Sequence, residues 1–427
     1  MTALSPDEAR GLGGPDWLVN RRVAAAQSFA AQSLPSPGEE VWRYSPIDEL
    51  DLSLYHLVTE GSSAGIPALV AEMLSTLPDR SATVVLRNGH PVLVETSAAA
   101  ASRGVRIGPL ADLGSADDLG VAFDEPADVF VELNDGFGSA PILVSVPDGV
   151  HLEAPVVVAN WLDDEGALVA PRLVIRAGAA SQFEVLDWSG SADVGALFVP
   201  VTEIEVGSSA NVGYLDVQLL GERVWQLGTQ DSKVHDQATL TASVAALGGD
   251  YARLRANCRL VGRGASGNLV SFYFGERSQT LDFRTFQDHV APDCTSNLLF
   301  KGVVNDHSRS VYTGLIRVRP GASGTIAFQT NRNIQLSDDA WAQSVPNLEI
   351  ENNDVKCSHA STVGPVDQDQ VFYLESRGVP PIVAERLVVG GFFDEVISQL
   401  AVAAVADQMR AEVTRRLDAP ALSGAGS

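Results

Sequence analysis

Apolar and polar positions divide this chain into three stretches with different periods. Up to about residue 78, and again after Gly364, apolar residues recur at steps of three and four; between them, from about residue 81, the period is mostly two. PDWLVNRRVAAAQSFAAQSL sets Trp17, Leu18, Arg21, Ala25 and Phe29 at helical steps, with Asp16 placed to cap the first turn. LPSPGEEVWRYSPID, with three prolines and a glycine, breaks that helix, and GIPALVAEMLSTL predicts a second one over 65–77. ATVVLRNGHPVLVE then reads as two short strands around an Asn-Gly turn.

Beyond residue 126 short β-rich runs dominate, and they repeat. VSVPDGVHL, LVIRAGAASQFEV, IEVGSSANVGYL, LVGRGASGNLV and IRVRPGASGTI share one form: alternating apolar residues, a glycine, small residues, and another apolar run. Their glycines, Gly149, Gly178, Gly207, Gly264 and Gly321, are spaced by about 29 residues or about twice that. Strand–turn–strand units at such a period predict a coiled β-solenoid, in which each unit buries its inner face only by stacking on its neighbours. A β-sandwich with coincidental glycine spacing is the alternative.

After Gly364 helices return. Asp367 and Gln370 have capping-box spacing, Gly378 supplies a stop, and Pro380 and Pro381 suit the first turn of another helix. Phe393, Val396, Ile397, Leu400 and Ala403 form an apolar stripe that could cap the open end of the solenoid. ALSGAGS at the C-terminus reads as a flexible tail. The expected organisation is a helical domain over 1–80, a β-helix core over 81–365 and a helical domain over 366–427.

Composition narrows the function. A net charge of −25, with only three lysines, argues against nucleic acid and anionic membrane surfaces. No run of about 18 apolar residues occurs; Asp394 and Glu395 interrupt the best candidate. MTALSPDEARGLGG lacks the features of an export signal, and the three cysteines are too few and too scattered for a disulfide framework, so a reducing cytoplasm is the expected setting. Lys233, Lys301 and Lys356 are followed by Val, Gly and Cys, which excludes a P-loop; HExxH, CxxC, GxSxG and the dinucleotide fingerprint are also missing. Acidic pairs such as Asp338–Asp339 would serve a polysaccharide-cleaving β-helix enzyme, but on so acidic a chain they read first as solvated turns.

The chemistry-bearing candidate is NDVKCSHASTVG. On a strand, Cys357 and His359 point to the same side, with Lys356 and Ser358 opposite. A thiolate and an imidazole suit zinc or an iron–sulfur species, yet two ligands do not close a four-coordinate site. The others would come from another rung (His289, Cys294 or His307) or from another chain. A buried cysteine beside a hydrogen-bonded histidine, with no metal, is the plain alternative.

At this point a family pattern is visible. NRNIQLSDDAWAQSVPNLEIENNDVKCSHASTVGPVDQDQVFYLESRGV (331–379), HVAPDCTSNLLFKGVVNDHSRSVYTGLIRVRPGA (289–322), VPDGVHLEAPV (146–156), EEVWRYSPID and PDWLVNRR together resemble the SufB/SufD family of the SufBCD iron–sulfur cluster assembly scaffold. The segment VKCSHASTV, and GFFDEV with Phe392–Phe393 where SufB-like chains tend to carry a cysteine, resemble the SufD side; Ala360-Ser361-Thr362 departs from the family's usual Gly-Ala-Thr.

The resemblance implies a mainly β fold: a right-handed parallel β-helix core flanked by N-terminal and C-terminal helical domains. It implies that His359, with Cys357, contributes to a nascent iron–sulfur cluster at an interface with a SufB-like subunit, with no cluster held permanently by this chain alone. It also implies that the C-terminal helices, through Phe392, Phe393, Val396, Ile397 and Leu400, dock a SufC-like ATPase. The expectation is a non-catalytic cytoplasmic scaffold subunit that could form a homodimer when isolated. The rival expectations are a SufB-like subunit carrying the main cluster site, the polysaccharide enzyme, and a zinc-binding structural protein.

Overall fold

The computed structural model of the chain describes residues 4–61, 63–123 and 126–418; the C-terminal ALSGAGS lies outside them. Its centre is a β-solenoid of about eight turns, wound so that the chain alternates between two long sheets. One sheet runs from Arg106–Pro109 through Ile142–Val146, Arg172–Ala177, Val201–Val206, Val224–Val234, Tyr251–Leu260, Thr280–His289 and Arg309–Val318 to Trp341–Ile350. The other starts at the hairpin Ala82–Arg87/His90–Thr96. It continues through Val156–Leu162, Gln182–Ser191, Asn211–Leu219, Thr239–Ala246, Ser266–Gly275, Thr295–Val304 and Thr325–Gln335 to Val355–Gly364. Along these paths pairing is parallel except at the two starting pairs. The Asn-Gly turn is present as read, with Asn88 and Gly89 both at positive φ.

The inner faces of both sheets meet in one continuous core that includes Val158, Ile175, Val185, Ile204, Val212, Leu240, Leu260, Leu281, Leu298 and Tyr312. The recurring glycines serve this winding in two ways. Gly149 and Gly264 themselves adopt positive φ; at Gly178 and Gly207 the left-handed residue falls two positions later, on Ala180 and Ser209. Those two glycines are required for space, since a Cβ would lie 2.5 Å from the Asp148 amide nitrogen at Gly178 and 2.6 Å from the Ala177 carbonyl oxygen at Gly207.

The N-terminal helix spans Asp16–Ala31 with Pro15 as its cap residue; Asp16 is its first helical residue and makes no capping hydrogen bond, contrary to the sequence expectation. The predicted 65–77 helix is Ala68–Ser75. The N-terminal helical layer reaches past residue 80: Ala26, Phe29, Trp42 and Ile47 share a core with Phe130, Leu133 and Phe137 of the helix Val129–Phe137 and with Leu168, Leu197, Leu227 and Tyr251 of the solenoid. EEVWRYSPID is the clamp. The Trp42 ring lies 3.7 Å beneath the Arg253 guanidinium, Arg253 donates to the Val41 carbonyl, and Arg284 donates to the Arg43 carbonyl. Asp282, completely buried, holds both arginines.

At the C-terminus, helices Gln368–Glu375, Pro381–Ile397 and Ala406–Asp418 follow the predicted punctuation. Asp367 caps the first through the Asp369 and Gln370 amides, Pro381 opens the second, and Gly378 takes positive φ between them. These helices lie along the flank of the second sheet, not over its end. Phe393 packs on Phe272 and Phe274, with Val396, Ile397 and Leu400 in the same buried cluster as Leu215, Val217 and Val303. Lys301, 1 % exposed, pins the long helix to the sheet by donating to the Phe392 carbonyl at 2.8 Å and pairing with Glu395.

Candidate functional site at the open end of the solenoid

Among the described residues the strand Val355–Gly364 pairs on one side only, with Thr325–Gln335, and Trp341–Ile350 ends the other sheet in the same way. Val355, Cys357, His359, Ser361 and Val363 stand in register with Thr325, Ala327, Gln329, Asn331 and Asn333, which are buried, while the intervening Ile326 and Phe328 are exposed. Parallel register partners share a face, so Cys357 and His359 project together from the lumen side of the last rung. This is the arrangement the i, i+2 spacing predicts.

The two side chains differ in setting. Cys357 is half-buried against Ile316, Val318, Ala322 and Ala327, with Leu348 and Val355 beside it. Desolvation pushes its thiol pKa up, against a backbone hydrogen bond from Ala327, so without a metal it stays protonated at neutral pH. His359 is exposed. Beneath it the lumen is polar: Gln329 donates to the Tyr312 hydroxyl at 2.7 Å, and that hydroxyl shares a 2.9 Å hydrogen bond with Thr285. The Gln329 carbonyl oxygen, on the rung directly below His359, is buried without a partner. Next to it Asn331, Asn333 and Tyr273 close a second hydrogen-bonded set.

Ligands from other rungs do not join the pair. His289 is fully buried and bonded to Ser296 at 2.8 Å, and burial lowers its pKa to about 4, so it is neutral. Cys294 is fully buried and donates to the Gly262 carbonyl; His307 is exposed, 3.8 Å from Asp339. Among the described residues no three His, Cys, Asp or Glu side chains gather as a metal cage. Cys258, deep in the lumen, is a core residue, its thiol raised to about 12 by burial.

The predicted partner-binding stripe needs correction. Phe393, Val396, Ile397 and Leu400 are buried within the chain, and Phe392 is partly buried under Lys301; their apolar surface already covers the second sheet. Ala403 is exposed. The face that the C-terminal helices leave open carries Phe372 (70 % exposed), Tyr373, Ile382, Val383 and Leu387. A signal for it exists in the sequence: VFYLE and PPIVAERLVV are apolar on more sides than one packing stripe needs.

Fold and site define a class: a helix-flanked parallel β-solenoid whose candidate chemistry, a thiol and an imidazole, sits on an unpaired terminal strand. The comparisons with known proteins are specific. The family described as SUF system FeS cluster assembly, SufBD core domain, matches residues 160–392. An iron–sulfur cluster assembly SufBD family protein of Mycobacterium tuberculosis is 30% identical over 399 residues, 91% of this chain and 90% of its own. One from Mycobacterium leprae is 33% identical over 290 residues, covering 66% and 73%. The Escherichia coli iron–sulfur cluster assembly protein SufD is 30% identical over 214 residues, 50% and 51% of the two chains. This chain belongs to the SufBD family of iron–sulfur cluster assembly proteins.

Proposed function

We propose that this chain is a SufD-type, non-catalytic scaffold subunit that completes a nascent iron–sulfur cluster site at its open solenoid end together with a SufB-like subunit. The observation that carries this reading is the position of Cys357 and His359: two ligands of the right type, on one face of a terminal strand whose outer edge is unpaired. A partner solenoid meeting that edge would satisfy the free backbone groups by strand addition and bring the missing ligands. The exposed imidazole is the ready ligand, and the raised thiol joins when iron displaces its proton.

The open apolar face of Phe372, Tyr373, Ile382, Val383 and Leu387 suits the docking of a SufC-like ATPase, since this chain has no P-loop of its own. The resemblance to the SufD side and the match to the E. coli protein of that name support this assignment over a SufB-like one. No helix among the described residues is long and apolar enough to cross a membrane, which is compatible with assembly in the cytoplasm.

The test is iron and acid-labile sulfide in a complex purified anaerobically after co-expression with SufB- and SufC-like partners. Wild type is compared with His359→Ala at equal complex yield. A large loss with assembly intact supports the shared site. Equal content in both would reduce VKCSH to a structural strand, and a cluster on the isolated wild-type chain would favour the SufB-like reading.

A further inference from the structure

Far from the open end, in the early rungs of the solenoid, two aspartates point into the lumen. Along Gln182–Ser191 the inward positions include Phe183, Val185 and Asp187; along Asn211–Leu219 they include Val212, Tyr214 and Asp216. Asp187 and Asp216 are register partners on neighbouring strands, so the carboxyl groups stack one rung apart. Asp187 accepts from Asn160 at 3.1 Å and from the Tyr214 hydroxyl at 3.0 Å. Asp216, half-buried, accepts no hydrogen bond among the described residues.

Both line a cavity of about 20 Å³, room for one water-sized occupant. The rest of the lining supplies oxygen. The side-chain carbonyl oxygens of Asn160 and Gln226 are buried and lack partners, and the two residues are 5 % and 4 % exposed. Thr202 and Tyr214 add hydroxyl oxygens, 3.3 Å apart. The nearby cation, Arg172, is committed to Glu203 and Asp135. Buried Asp187, half-buried Asp216 and two orphaned carbonyls therefore line one space, against which the unpartnered donor of the lining is the Gln230 amide. So many acceptors are costly unless something positive sits among them.

We propose that this cavity is a binding site for one oxygen-preferring divalent cation, held by Asp187 and Asp216 with carbonyl oxygens from Asn160 and Gln226. Carboxylate and carbonyl oxygens without sulfur or imidazole are the ligand set of magnesium and calcium, not of iron. The ion would tie two consecutive turns together from inside, distinct from any chemistry at the open end. Without it burial drives both acids upward, Asp187 to about 6 and Asp216 well above the usual carboxylate range.

The test uses the full chain unfolded, stripped with a chelator, and refolded with Mg2+, with Ca2+, or with neither. Bound metal per chain after gel filtration and the unfolding temperature are read at pH 7.5. Wild type should retain about one ion per chain in at least one metal and unfold several degrees higher than without it; Asp216→Asn should do neither. Equal retention and equal shifts in both proteins would assign the ion to the acidic surface and overturn the proposal, as would no shift in either. Should Asp216→Asn fail to fold, Gln226→Leu keeps both acids and removes one ligand. It should weaken binding at least tenfold, and unchanged affinity would overturn the proposal.

Discussion

Phe393→Ala separates the two roles an apolar helix residue could play here. Phe393 is fully buried, with Phe272, Phe274 and Phe392 ring centroids 5.7, 6.0 and 5.6 Å away. Losing the transfer free energy of a buried aromatic costs about 1.5–3 kcal/mol. The cavity left between a helix and a sheet, neither free to collapse, brings the expected cost to about 3–5 kcal/mol. Leu387, on the same helix but 54 % exposed, offers the matched control; Leu387→Asp should change stability by no more than about 0.5 kcal/mol. The assay is urea unfolding of the isolated chain by fluorescence, alongside co-purification with the proposed SufC-like ATPase. Phe393→Ala should shift the transition of the C-terminal helices strongly, whereas Leu387→Asp should leave unfolding intact and weaken capture of the partner. If Phe393→Ala unfolds like wild type yet loses the partner, the packing of this helix against the sheet is wrong and the stripe is an interface after all.

Other outcomes follow from particular contacts. Gly248→Ala would place a Cβ 2.2 Å from the Leu220 carbonyl oxygen, so it should lower stability by about 1–3 kcal/mol or more. Gly390→Ala, in a helix with open space around it, should raise stability by about 0.5–1 kcal/mol; paired urea titrations check both. His289, neutral in its buried site with a pKa near 4, gives stability that is complete above the unfolded value of about 6.5. That stability is lost as pH falls from there toward about 4, by roughly 2–3 kcal/mol, so His289→Gln should flatten the fall measured by unfolding at pH 7 and pH 5. Arg253→Ala strips the cation from above Trp42 and one partner from buried Asp282, while Arg284 still faces it. A loss of about 2–3 kcal/mol and faster protease cleavage near residues 38–50 are expected.

Periodicity made the solenoid legible because its inner face is a simple alternation, and an alternating apolar run has few other ways to be buried. The glycine spacing located the corners but not their conformation, since the left-handed position can be taken by Ala180 or Ser209 when the glycine is needed for clearance. The Cys357–His359 face followed from a period of two. What a strand or helix packs against did not follow from it. The stripe ending at Leu400 reads the same whether it meets this chain's own sheet or a partner, and only tertiary placement decides. Asp187 and Asp216 were hidden for a related reason: an aspartate in VLDW or YLDVQ gives no hint that its parity turns it inward.

The two ends of the solenoid are finished differently, and the difference bears on function. At the start, the hairpin Ala82–Arg87/His90–Thr96 and the pair Arg106–Pro109/Ile142–Val146 turn antiparallel, ending both sheets within the chain, with N-terminal helices packed alongside. At the other end both sheets stop at parallel strands whose outer edges are unpaired among the described residues, and the described C-terminal helices pack along the second sheet's flank instead. On the inner face of the rung just below the last strand stand Gln329, Asn331 and Asn333, all buried. A polar end rung does not gain enough from stacking to close itself, and unpaired parallel edges invite strand addition. An end built this way suits continuation by another chain, as the proposed function requires. Cys357 and His359 stand beyond that rung on the last strand, so under the proposed function a ligand held there would lie between this chain and its partner.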